Sequence, residues 1–252
     1  MSDTQHFIQT GISDGVMTIR MNRPEKKNAI TGDMYARMAA GLDEAFADET
    51  VKCVLFKGSP GAFSAGNDIA DFAKVAMTGQ RDSMAVFDFL ERIIMASKPM
   101  VAAVDGLAIG VGTTMLLHCD YVISSDRSVF KTPFVDLGLV PEAGSSLITP
   151  SITGHHRAFA LLAMGEAFDS ASAKDAGFIN QITSVDQLET TGNEIAASIA
   201  AKPAEALKIS RDLIRGDRSP ILKRMQEEAV LFGQRLESDE AKQAFMAFMS
   251  KG

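Results

Sequence analysis

Apolar and polar positions change period along this chain, and the changes mark its elements. From Phe7 to Met21 they alternate, Val16, Thr18 and Arg20 on one side and Met17, Ile19 and Met21 on the other, with Ser13-Asp14-Gly15 as the turn of a β-hairpin. From Thr31 to Asp48 the period becomes helical, with Met34, Met38, Leu42, Ala45 and Phe46 as the stripe and Thr31 as its cap. That methionine stripe reads as core. The mostly apolar run Val51 to Lys57 predicts a strand. Helices are expected over Asp68 to Met77 and over Asp82 to Ala96, the second carrying Met84, Phe87, Leu90, Ile93 and Ile94 on one side.

The central stretch, Met100 to Leu117 (MVAAVDGLAIGVGTTMLL), predicts a buried strand over Met100 to Val104, then a bend where Gly106, Gly110 and Gly112 release the backbone, then a helix from Thr113. Further strands are expected at Tyr121 to Ser124, Val129 to Lys131 and Phe178 to Thr183, and helices at Ser145 to Ile152 and His155 to Met164. From Asp186 the pattern is helical, broken at Pro203 and Pro220. Short strands between helical connections fit either a spiral of strand-strand-helix turns or a doubly wound sheet.

Composition narrows the class. The 252 residues suit one large domain, or a core with a smaller appendage. With 46% hydrophobic and 23% charged residues the chain is neither disordered nor fibrous. A formal charge of −7 argues against a nucleic-acid partner, which demands a concentrated basic footprint. Cys53 and Cys119 sit alone in apolar runs and read as buried thiols of a reducing compartment. No segment qualifies as membrane-spanning. The start, MSDTQHF, has no signal or transit character, and Ser250-Lys251-Gly252 is not a peroxisomal address, so the cytoplasm is expected.

Candidate chemistry resides in the loops. Gly61 to Ile69 (GAFSAGNDI) and the central bend each follow an apolar strand, and such bends present backbone N–H groups that can stabilise an anionic oxygen. Competing motifs fail on spacing. The run at Gly110 to Met115 lacks the third glycine of a dinucleotide fingerprint, no Gly-Lys-Ser/Thr exists for a P-loop, and Ser64 is out of step with a nucleophile elbow. His155 and His156 are adjacent and cannot share a helix face as metal ligands. His118, beside Cys119 and Asp120, reads as structural.

Four motifs in this order, Asn22 to Ile30 (NRPEKKNAI), Gly61 to Ile69, the central stretch, and Thr132 to Ser146 (TPFVDLGLVPEAGSS), resemble the crotonase (enoyl-CoA hydratase/isomerase) superfamily over most of the chain. The resemblance implies an α/β fold: a crotonase-like spiral of ββα turns over residues 1–190 holding an acyl-CoA site. Residues 191–252 would form a C-terminal helical oligomerisation region, usually making trimers or pairs of trimers. It implies that the loop of Arg23, Lys26 and Lys27 passes the nucleotide end of CoA, with backbone around Lys26 and Asn28 in contact. It also implies oxyanion donors at the N–H groups of Asn67 and Val111, within substrate-binding segments that include Ser64, Ala65, Gly66, Asp68, Ile69, Gly110 and Phe134.

The catalytic glutamates of hydratases correspond to Thr114 and Phe134, neither of which can act as a carboxylate base. Glu142 matches the single glutamate of peroxisomal-type Δ3,Δ2-enoyl-CoA isomerases, whose neighbouring motifs look like Ser64 to Asp68 and Thr132 to Phe134. The implied reaction moves the double bond of a 3-enoyl-CoA to give 2-trans-enoyl-CoA, with no metal or redox cofactor, CoA being part of the substrate. Another crotonase reaction such as hydration, or a noncatalytic acyl-CoA-binding protein, stays open. So does a plainer part for Glu142, as a surface carboxylate in a helix's first turn.

Overall fold

The computed structural model describes residues 7–69 and 84–249. In chain order its strands are β1 (Ile8–Ser13), β2 (Val16–Met21), β3 (Cys53–Lys57), β4 (Ala62–Ser64), β5 (Met100–Val104), β6 (Leu107–Ile109), β7 (Tyr121–Ser125), β8 (Val129–Lys131), β9 (Phe168–Asp169) and β10 (Gln181–Thr183). The first two close as a tight hairpin, Ser13 opposite Val16, with Asp14 and Gly15 both at positive φ as a two-residue turn requires. A six-stranded sheet runs β1-β2-β3-β5-β7-β10 and a four-stranded one β4-β6-β8-β9. Three times in succession the chain lays a strand in the large sheet and the next in the small one, β3 then β4, β5 then β6, β7 then β8. The sequential pairs are parallel within each sheet. This is the ββα spiral, not a doubly wound sheet.

The helices are α1 (Gly32–Ala47), α2 (Met84–Ile94), α3 (Val111–Thr114), α4 (Ser145–Thr153), α5 (His155–Leu162), α6 (Ser170–Asp175), α7 (Val185–Ala200), α8 (Ala204–Arg215), α9 (Ser219–Leu236) and α10 (Asp239–Met249). Thr31 caps α1 by accepting the Met34 N–H. Strands β3 and β5 are apolar on both faces because both faces are covered. Val54, Phe56, Met100, Ala102 and Val104 pack with Met34, Met38 and Leu42 of α1 and Phe89 and Ile93 of α2. Cys53, Leu55, Val101 and Ala103 meet Leu188 and Ala196 of α7 on the other face. A Cβ on Gly192 would stand 3.0 Å from the Ala103 Cβ, so the missing side chain lets α7 lie close. A third cluster joins Phe134, Leu139 and Leu162 to Leu236, Ala241 and Phe245 of the last two helices.

Several details depart from the periodicity. Within the stretch expected to be all bend, Leu107–Ile109 pairs with β4 and β8 as a strand. The following helix starts at Val111, not Thr113, and tightens into a 3₁₀ turn over Met115–His118. On α2 Phe89 is fully buried, edge-on to Phe56 at 6.3 Å, while Phe87 is half-buried. The strand expected from Phe178 shortens to Gln181–Thr183, Phe178 and Ile179 having turned into the core. Most of the helix expected over Asp68 to Met77, and the start of the one expected from Asp82, lie outside the described residues. Residue 190, the expected domain boundary, falls inside α7. No described helix is long and apolar enough to cross a membrane.

Candidate active site

Two glycine loops are locked against each other. Ile30 donates its N–H to the Gly66 carbonyl and accepts the Asp68 N–H, a parallel bridge that turns the intervening Asn67 peptide away from Ile30. Gly66, at φ 88°, has its Cβ direction 2.9 Å from the Ile109 carbonyl oxygen. Gly112 faces Ser64 so closely that a Cβ would lie 3.0 Å from both the Ser64 Cβ and its carbonyl oxygen. Gly110 donates to the Lys131 carbonyl and reverses the chain at φ 56°, so that Val111 opens α3 with its N–H outside the helical bonding pattern. Among the described residues neither the Asn67 nor the Val111 N–H has an acceptor. Glycines at the contact surfaces therefore bring two unspent donors onto adjoining loops.

Asn28 fastens this arrangement. Fully buried at φ 55°, it accepts the Arg23 N–H on Oδ1 and donates Nδ2 to the Ala62 and Phe63 carbonyls, while its own carbonyl accepts from Ser64 Oγ. Ser64 Oγ in turn accepts the Gly66 N–H, and Ala65 donates to the Lys27 carbonyl. Within the basic loop Arg23 is committed inward, its Nη1 2.6 Å from Asp68 Oδ2, which leaves exposed Lys26 and Lys27 to carry the loop's outward positive charge.

Glu142 is buried rather than superficial, 8% exposed, in the loop between Leu139 and α4. Thr114, one turn into the helix that Val111 opens, donates Oγ1 to Glu142 Oε1 at 3.4 Å. Burial, and then the charge of Glu228, push the Glu142 carboxyl up to about 8. Tyr35, facing inward from α1, donates its hydroxyl to Asn67 Oδ1 at 2.6 Å. Its own pKa is raised well above 10 by burial and then by the Glu142 charge, which places the phenol within the field of that carboxyl. Thr114 thus ties Glu142 to the short helix that Val111 opens, and Tyr35, which feels the Glu142 charge, holds the Asn67 side chain. Phe134 is buried with Leu139 in the third cluster, against which Ile69 packs.

The Glu142 loop is held from behind. Ala143 and Gly144 both adopt positive φ. The Gly144 Cβ direction points 2.7 Å from Ile221 Cγ2, so only glycine fits there. Since Gly144 has no side chain to cap α4, Glu228 does so from α9, taking the Gly144 N–H at 2.6 Å and the Ser146 N–H at 2.9 Å. His118 lies 2.8 Å from the Ala143 carbonyl through Nε2 and 3.0 Å from Arg218 through Nδ1. A guanidinium can only donate, so Nδ1 accepts and Nε2–H donates to Ala143. Burial, then Arg218, lower this imidazole to about 3 and keep it neutral. Tyr35, Glu228 and Arg218 are absent from the motif reading. Tyr35 stands one position off the methionine stripe, Glu228 belongs to a helix whose pattern signals packing alone, and Arg218 lies in the short link just before that helix.

With this geometry in view, comparison with known proteins gives the class. The family model for enoyl-CoA hydratase/isomerase matches residues 11–252, and the chain belongs to that family, the crotonase superfamily. Relatives at similar identity differ in the reaction their names give. The chain is 32% identical over 214 residues to 1,2-epoxyphenylacetyl-CoA isomerase of Escherichia coli K12, covering 82% of this chain and 81% of that one. It is 33% identical over 242 residues to enoyl-CoA delta isomerase 2 of Rattus norvegicus, covering 94% of this chain but 62% of the rat protein. The crystal structure of an enoyl-CoA hydratase/isomerase from Pseudoalteromonas atlantica T6c superposes with a TM-score of 0.92 at 36% identity, over 97% of both chains.

Proposed function

We propose that this crotonase is a Δ3,Δ2-enoyl-CoA isomerase. The observation that carries the reading is one buried carboxyl, Glu142, beside two unspent N–H donors, with Thr114 and Phe134 where the resemblance puts the hydratase glutamates. The thioester oxygen sits between the N–H groups of Asn67 and Val111. Ionised Glu142 takes a proton from C2 of a 3-enoyl thioester, and the electrons move into a dienolate whose oxygen the two donors stabilise. The same carboxyl returns the proton at C4, leaving a 2-trans-enoyl thioester and the enzyme in its starting state. A carboxyl of pKa about 8 is ionised in about one molecule in ten at pH 7, and that fraction is a stronger base than an ordinary carboxylate. Exposed Lys26 and Lys27 offer screened attraction to the nucleotide phosphates of CoA.

A panel of 3-enoyl and 2-enoyl thioesters with product identification tests this reading. Isomerised product from the 3-enoyl members, lowered about a hundredfold or more by Glu142→Gln with thioester binding retained, is expected. Formation of 3-hydroxyacyl-CoA from the 2-enoyl members would make it a hydratase, and tight binding without turnover would make it a binding protein.

A second reading draws on the same pKa. A carboxyl protonated at neutral pH is suited to act first as an acid, protonating an epoxide oxygen as a strained ring opens, and the Escherichia coli relative is named for an epoxide isomerisation. An epoxyacyl thioester added to the panel separates the two. The reading also brings an assembly with it: a trimer or pair of trimers, supported by the apolar surface that α8 carries outward.

A further inference from the structure

Glu228 is a buried carboxyl that the proposed reaction does not use. It lies in the middle of α9, 4% exposed, and spends both oxygens on the main chain of the loop that carries Glu142. We propose that Glu228 is a positioning residue for Glu142: it fixes the base's loop to α9, and it supplies the standing negative charge against which the base must ionise. This rests on the reading of Glu142 as the base.

The geometry separates the two carboxyls. Glu228 accepts two N–H groups at the start of the nine-residue α4, where the helix dipole favours an anion, and it feels the positive charge of Arg224 one turn away. Glu142 receives a single long bond from Thr114. Burial raises both, but only Glu228 is compensated, so Glu228 holds the charge and Glu142 the proton. Glu142 has no compensating cation among the described residues. Tyr35 faces it from α1 and Thr114 from α3, both neutral; His118, behind Ala143, is neutral too; and Arg218 directs its Nη2 to His118. Among the described residues, Glu228 is therefore the one charged group that shifts Glu142, and its carboxylate also holds the loop through the Gly144 and Ser146 N–H groups.

The test is a ¹³C-carboxyl NMR titration of Glu142, its signal assigned by disappearance in Glu142→Gln, alongside the pH profile of kcat/KM, in the wild type, Glu228→Gln and Glu228→Asp. With the charge gone in Glu228→Gln, the Glu142 midpoint and the rising limb of kcat/KM should move down together by about a unit or more. In Glu228→Asp, which keeps the charge on a shorter arm, the midpoint should stay above the ordinary carboxyl range while kcat falls. A role limited to tethering would lower kcat at every pH and leave the midpoint in place. An unmoved midpoint in folded Glu228→Gln overturns the proposal, and so does a fall to the ordinary range in Glu228→Asp. Full activity in Glu142→Gln would remove the base reading instead, and the carboxyl titration would still decide the role of Glu228.

Discussion

Two buried groups near the candidate site, His118 and Glu142, are displaced from their ordinary values in directions that oppose each other in stability. Unfolded, His118 binds its proton near 6.5; folded, near 3. Between those values the unfolded chain holds the extra proton, so this contribution is complete above 6.5 and is lost as pH falls toward 3. Glu142 goes from 4.5 unfolded to about 8 folded, so from 4.5 to 8 the folded chain holds the extra proton and stability declines as pH rises. Where the windows overlap, from 4.5 to 6.5, the slopes cancel. For these two groups, denaturant unfolding should show stability rising up to pH 4.5, level to 6.5, and falling to 8, each slope about 1.4 kcal/mol per unit. The alkaline decline should disappear in Glu142→Gln. Its persistence there would assign it to another group.

At the scale of elements the donor loops make a separable prediction. Proline is tolerated at the first position of a helix, where its missing N–H would be unbonded in any case. Val111→Pro should therefore keep the fold by circular dichroism yet lose about a hundredfold to a thousandfold in kcat, the scale of one oxyanion donor. Val111→Ala, with its N–H intact, should retain most activity. Equal losses in the two would place the function in the side chain. These loops were legible in the sequence because glycines mark them, and β3 and β5 because both faces are apolar. The short strands β4 and β6 were not, since each lies inside a stretch whose flanking glycines, Gly61 and Gly66 or Gly106 and Gly110, read as bend. Glu228 was equally hidden. Nothing local relates it to Gly144, 84 residues away, and a glutamate on a helix ordinarily marks a solvated face.

The whole molecule leaves an apolar surface on α8, with Ile209, Leu213 and Ile214 at 50%, 80% and 85% exposure. A chain with 32 acidic and 25 basic residues has ample polar material to cover that helix, and the uncovered aliphatics argue for a packed neighbour. Sedimentation at micromolar concentration should give a trimer or hexamer, and Leu213→Glu with Ile214→Glu should shift it toward smaller species. A wild-type monomer would count against the proposed assembly. The cap that Glu228 places on α4 also has a consequence for how the protein is made. Synthesis delivers the N-terminal part first, at about 5–20 residues per second. Both sheets are complete by Thr183, and the loop of Glu142 is already present. That loop gains its anchor only when α9 emerges. A nascent chain can therefore hold a finished spiral and both donor loops while the Glu142 loop still lacks the Glu228 anchor, which arrives only with α9.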